Sequence, residues 1–230
     1  MIRIIDNFYE NPDEVREFAL NQSYSVYGNY PGKRTKPYAN EQHKEQFEEA
    51  LGMKIQNWNR KGDDENTYNG AFQVANVDER TWIHHDATAC AAVVYLTPNA
   101  PLSGGTSIFR HKGYNTHKLP SLETFYHKNI NKKDYDDLLG KDGLDKTKWE
   151  EIDFLGNVYN RCVVYEGIYY HSSLDYWGRE EDPLSEQRLF QVFFFNTDKL
   201  PWCYNDGDGN VWWNKYENKE YEELDYDRIL

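Results

Sequence analysis

The sequence predicts a mainly β protein with flanking helices, an α+β arrangement, and three observations carry that prediction. Aromatic residues make up 16% of the 230 residues, with 19 Tyr and 7 Trp, and rings favour pleated, half-buried surfaces. Two runs, Cys90–Leu96 and Gln187–Phe195, are apolar at odd and even positions alike, so each strand needs cover on both faces. Clear helical spacing is confined to two short stretches near the N-terminus. A chain of this length fits one domain, 1–230, and no repeat, linker or low-complexity block divides it.

Residues 2–8 read as a strand. Asn11-Pro12-Asp13-Glu14 then supplies a cap, a first-turn proline and two acids suited to a helix start. Val15, Phe18 and Ala19 lie on one face of that helix, which reads as core. Residues 24–40 are rich in Tyr, Gly, Pro and Lys, as expected of a long ordered loop beside a pocket. A second helix from about Glu41 carries Phe47, Ala50 and Leu51 on one stripe and ends at Gly52. Together these form N-terminal helical support, about 11–59. After a polar turn at 61–69, strand-like runs follow at 71–75, 90–96, 106–109, 161–165, 169–173 and 187–195. Residues 113–155 are charged and helix-permissive, with Tyr135, Leu138 and Leu139 as their apolar spacing. They read as an insertion, either a lid or a helical cover on the sheet. An aromatic, acidic tail, about 201–230, closes the chain.

The formal charge of −13 disfavours nucleic acid as partner, since phosphate binding draws on clustered Lys and Arg. Cys90, Cys162 and Cys203 are odd in number and widely spaced, which argues for reduced thiols in a cytoplasmic setting rather than a disulfide framework or zinc site. No run approaches the roughly 20 apolar residues of a membrane span. Nothing in the sequence sets the oligomeric state.

Chemistry concentrates at Trp82-Ile83-His84-His85-Asp86. In an extended strand, residues i and i+2 leave the same face, so His84 and Asp86 point together and His85 points away. His171, at the end of a later strand, adds a second imidazole. Arg188 begins an apolar row with Phe190, Val192 and Phe194, where a guanidinium needs an anionic partner or must snorkel from the strand end. Two imidazoles and one carboxylate are the facial triad of non-haem Fe(II) oxygenases. Asp206, Asp208, Asn210, Asn214 and Glu217 follow calcium-loop spacing. Val211 stands where that loop needs glycine, so calcium at 206–217 is disfavoured.

In order along the chain, His84-His85-Asp86, Tyr95-Leu96-Thr97, Gly104-Gly105-Thr106, Tyr170-His171-Ser172 and Arg188 resemble the 2-oxoglutarate- and Fe(II)-dependent oxygenases, particularly their prolyl-hydroxylase-like branch. The opening Ile5-Asp6-Asn7-Phe8-Tyr9 and Asn11-Pro12-Asp13 resemble uncharacterised bacterial and viral members, and Thr97 replaces a more usual Asn. The resemblance implies a double-stranded β-helix, the jelly roll shared with cupins. It implies that His84, Asp86 and His171 hold Fe(II), with Arg188 and Tyr95 holding the distant carboxylate of 2-oxoglutarate. The implied activity is a dioxygenase that consumes O2 and 2-oxoglutarate, releases succinate and CO2, and hydroxylates a peptide or small molecule. Tyr30, Trp82 and the insertion are candidate substrate-side surfaces. Two alternatives remain open on the residues: a non-catalytic jelly-roll module binding carbohydrate through its rings, and a metal cupin oxidase that does not use 2-oxoglutarate.

Overall fold

The computed structural model describes residues 1–28, 30–56, 58, 69–79, 81–119, 141–205, 211–214 and 221–223. Most of the 61–69 turn, the spacing Tyr135, Leu138 and Leu139, and Asp206, Asp208, Asn210 and Glu217 lie outside them. The elements run β1 Ile2–Ile5, α1 Pro12–Leu20, β2 Lys33–Arg34, α2 Glu41–Leu51, β3 Ile55–Gln56, β4 Ala71–Ala75, β5 Cys90–Tyr95, β6 Thr106–His111, β7 Trp149–Leu155, β8 Cys162–Glu166, β9 His171–Ser173 and β10 Arg188–Thr197. Three further strands follow in the tail, β11 Cys203–Asn205, β12 Val211–Asn214 and β13 Tyr221–Glu223, paired antiparallel in that order.

Two antiparallel sheets make the body. The larger has the order β1-β8-β5-β10-β4-β2, with β3 joined to the far end of β10, and the smaller has the order β7-β6-β9. Facing sheets with these crossovers form the double-stranded β-helix. The parity of β10 shows how the larger sheet divides two cores. Leu189, Phe193 and Phe195 face α2, where Phe47 lies 5.2 Å from Phe193 and 5.0 Å from Phe195 between ring centroids. Phe190 and Val192 face the smaller sheet and pack with Val93, Tyr95, Ile108, Leu155, Val163 and Tyr165. The doubly apolar runs therefore belong to central strands with a helical layer on one side and the barrel interior on the other.

Local chemistry sets the helices. Pro12 opens α1 as expected, but the Asn11 side chain makes no capping bond. Ala19 is buried, with Val15 and Leu20 beside it against the core. Phe18 corrects the expected stripe: it is 45% exposed, because a helix that turns Ala19 inward leaves its neighbour at the margin, edge-on to Tyr38. α2 begins with a reciprocal capping box between Asn40 and His43 and ends at Gly52, whose φ of 64° is left-handed. The expected loop at 24–40 carries a short strand, β2, which extends the larger sheet beyond β4.

The last residues of the expected insertion at 113–155 form a strand, since Trp149–Leu155 are β7, paired along the whole of β6. Only its end residues, Trp149 and Leu155, are buried. An edge strand with five exposed residues between them reads as a charged surface segment, which is why its sequence lacks a strand signature.

His43 gives the helical layer a pH dependence. Burial lowers its pKa from 6.5 to about 4, and its Nε2 lies 3.1 Å from the Tyr9 hydroxyl. The neutral imidazole is favoured by folding, so this contribution is complete above pH 6.5 and is lost as pH falls towards 4. Urea midpoints measured across that window should fall more steeply for the wild type than for His43→Gln.

Candidate active site

The triad sits where the smaller sheet gains one more partner. His84 is not in a regular strand, as the sequence suggests, but forms a single antiparallel bridge with His171: His84 N–H donates to His171 O at 3.1 Å and His171 N–H to His84 O at 2.8 Å. Asp86 N–H donates to Gly167 O at 2.7 Å, so the chain stays extended and the i, i+2 relation survives. Ligand atoms of His84, Asp86 and His171 all lie within 4.8 Å of one another. The two imidazole centroids are 4.4 Å apart, and His171 Nε2 is 3.3 Å from Asp86 Oδ2. His85 turns away towards the Tyr170 ring, 6.2 Å between centroids.

Each triad histidine is held in one tautomer. His84 Nδ1 is 3.1 Å from Trp82 O, and His171 Nδ1 is 2.8 Å from Tyr169 O. A carbonyl only accepts, so each Nδ1 carries a hydrogen and donates it, and in the neutral ring Nε2 then keeps a lone pair for a metal. Burial lowers the His84 pKa to about 4, with His171 adding to the shift, so its imidazole is neutral at pH 7. For Asp86, burial pushes upward, but the neighbouring imidazoles outweigh it in their protonated forms, His171 foremost because its Nε2–H then donates to the carboxylate, and bring the carboxyl down to about 2. Two imidazole nitrogens and one carboxylate form a donor set suited to a divalent first-row metal.

Arg188 lies on the inner face of β10 with no exposed surface. Its Nε–H donates to Gly104 O at 2.9 Å, and its guanidinium carbon lies 4.2 Å from the Phe190 ring centroid, 5.3 Å from Tyr176 and 5.8 Å from Tyr95. Among the described residues both terminal nitrogens lack a hydrogen-bond partner and no carboxylate pairs with the guanidinium. Burial lowers its pKa. Ring faces compensate a buried cation only in part, so the pocket suits a carboxylate brought by a ligand.

The Tyr95 hydroxyl lies 2.9 Å from Thr106 Oγ1 and also reaches Leu155 O, while its ring faces Arg188; burial raises its pKa to about 12. Thr97 takes a structural place: its hydroxyl accepts from Leu189 N–H at 2.9 Å, pinning the start of β10. Gly104 and Gly105 have a steric reason, because a Cβ on the first would run into Trp177 and on the second into Leu155 O. The turn thereby holds Gly104 O against Arg188.

Two neighbours escape a motif reading. Asn157 Nδ2–H donates to Gly104 O at 3.2 Å, sharing the acceptor that orients Arg188. Tyr165 packs its ring 4.6 Å from His171 and feels the charges of both Asp86 and Arg188, so it neighbours the triad within the interior that Arg188 shares. Strand parity with Val163 is the only signal that could have placed Tyr165 on the inner face. Of the suggested substrate-side residues, Trp82 lies 5.5 Å from His84 between ring centroids, tilted at 44°, while the Tyr30 ring centroid lies 3.7 Å from the Arg34 guanidinium carbon.

Among solved structures the chain is similar to HygX from Streptomyces hygroscopicus, solved with nickel, 2-oxoglutarate and hygromycin B bound, at 10% identity and a TM-score of 0.51, covering 85% of this chain and 82% of that one. It is also similar to a prolyl hydroxylase from Trichoplax adhaerens in complex with a hypoxia-inducible-factor peptide, at 14% identity and a TM-score of 0.42, covering 86% and 84%. The fold is that of the 2-oxoglutarate- and Fe(II)-dependent oxygenases, as the sequence resemblance implies. No curated protein matches the sequence. Among the described residues no helix is long and apolar enough to cross a membrane. A family profile matches residues 1–175, and by that match the chain belongs to DUF6445, a family of unknown function.

Proposed function

We propose that this protein is an Fe(II)- and 2-oxoglutarate-dependent dioxygenase, with 1–230 as one catalytic domain, that hydroxylates a small molecule or peptide. The observation that carries the reading is Arg188, a buried guanidinium whose two terminal nitrogens lack a partner among the described residues, in the same interior as a His-Asp-His cluster. That pairing is what separates this reading from a binding module or a cupin oxidase, neither of which needs a buried carboxylate receptor.

When bound, Fe(II) and 2-oxoglutarate would supply the oxidising chemistry: with O2 they yield succinate and CO2 and leave one oxygen atom on the substrate. His84 and His171 would contribute their Nε2 lone pairs and Asp86 its carboxylate, the backbone carbonyls of Trp82 and Tyr169 fixing both rings. Arg188 would hold the distal carboxylate, with Tyr95, Tyr176 and Phe190 walling off water. Tyr165 stays a neutral phenol through burial and would line the interior that the two charged ends share. The acidic balance of the chain disfavours polyanionic substrates, and buried free Cys90 and Cys162 fit a reducing, cytoplasmic setting.

Anaerobic addition of Fe(II) and then 2-oxoglutarate should produce a weak visible charge-transfer band, and air should then release succinate. Folded, metal-loaded protein that gives neither would overturn the assignment.

A further inference from the structure

The backbone that carries His84 has two neighbours. On one edge it pairs with His171; on the other, Ile83 N–H donates to Gly143 O at 2.8 Å. Gly143 lies in the short 3-10 turn Asp142–Leu144, near the C-terminal end of the segment between β6 and β7. The two backbones are in close approach, since a Cβ on Gly143 would overlap Ile83 O. The turn is fastened by its first residue. Asp142 Oδ2 is 2.9 Å from His111 Nε2, at the end of β6, and Asp142 O accepts the Trp149 indole N–H at 2.7 Å, at the start of β7. The Tyr114 backbone N–H donates to His111 Nδ1 at 3.2 Å, which leaves the hydrogen of a neutral His111 on Nε2, facing Asp142. Ile83 is 1% exposed and packs with Phe109 and Trp149 on the same side.

We propose that His111, Asp142 and Gly143 are positioning residues for the metal centre: they latch the end of the inserted segment onto Ile83 and so fix where His84 presents Nε2. The inference rests on the triad binding a metal. Without the latch, the backbone hydrogen bonds that remain to the Trp82–Asp86 stretch among the described residues are those with His171 and Gly167, on one edge. A ligand one residue from a lost backbone bond shifts relative to His171 and Asp86, and metal affinity is sensitive to such shifts. The segment between β6 and β7 then contributes to the site through its end, whatever the rest of it covers.

The test is Co(II) binding, followed through its visible d–d bands, with Gly143→Ala and Asp142→Ala in the full chain. Phe47→Leu, in the helical layer remote from the triad, serves as a stability control. Both latch variants should raise the Co(II) Kd by about tenfold or more and alter the d–d band pattern, within the range for residues that orient ligands. Phe47→Leu should lower Tm while leaving Kd and bands as in the wild type. If one latch variant fails to fold, the other decides the matter. Wild-type Kd and spectrum in a folded latch variant would overturn the latch and leave the proposed function standing. Failure of the wild type itself to bind Co(II) would overturn both, and a Kd that simply tracks Tm across all three variants would reduce the latch to general stability.

Discussion

Arg188→Met should make the protein without ligand more stable and, at the same time, cripple its use of 2-oxoglutarate. A guanidinium with no exposed surface and, among the described residues, no partner for its two terminal nitrogens and no carboxylate beside it is a buried charge held chiefly by Gly104 O and three rings. Methionine has similar length, suits a Phe and Tyr environment and removes the desolvation cost, so a gain of about 1–3 kcal/mol is expected in urea unfolding. Binding should move the other way. Losing one partner of a desolvated charge pair costs about 2–5 kcal/mol, so KM for 2-oxoglutarate should rise on the order of 100-fold. Arg188→Lys keeps the charge but not the planar fork and should fall between. Opposite signs on stability and affinity mark a residue retained for its ligand. A large loss of stability in Arg188→Met would instead mean that the guanidinium serves the fold.

How much of this could be read from the residues follows from where the energy of each feature lies. β4, β5 and β10 were legible because a central strand covered on both faces is mostly apolar at odd and even positions alike, and that condition is written locally. β7 was not, because as an edge strand its interior residues are exposed, and Glu150, Glu151 and Asp153 say only that they meet water. The His84 and Asp86 pair was legible through its spacing even though the segment is held by single bridges rather than by a strand. What the spacing could not carry is the environment: Trp82 O and Tyr169 O set the tautomers, and a carbonyl leaves no mark in a sequence. The same holds for Gly104, whose motif is visible but whose carbonyl, shared between Arg188 and Asn157, appears only once the strands are assembled. Tyr165 reads as core and is core; its place beside the triad depends on which face of β8 turns inward.

The largest effect expected at the metal end separates two adjacent histidines. His171→Ala removes one of three donors and also the side chain that brings the Asp86 carboxyl down to about 2, so Co(II) affinity should fall on the order of 1,000-fold, about 4 kcal/mol. His84→Ala should lose as much, whereas His85→Ala should stay within about threefold, because its ring turns towards Tyr170 rather than to the cluster. Thermal unfolding with and without Co(II) plus 2-oxoglutarate reads the same contrast. Ligand at about 100 times its Kd stabilises the native state by about 2.7 kcal/mol, so Tm should rise in the wild type and in His85→Ala and stay flat in His84→Ala and His171→Ala. Arg188→Met completes the logic, since it should keep the shift given by Co(II) alone and lose the further shift given by 2-oxoglutarate. The two ends of the proposed ligand site are then separable in one measurement, the triad by the metal and the guanidinium by the carboxylate. A wild type whose Tm responds to metal but not to 2-oxoglutarate would leave the triad a metal site and remove the reason for Arg188.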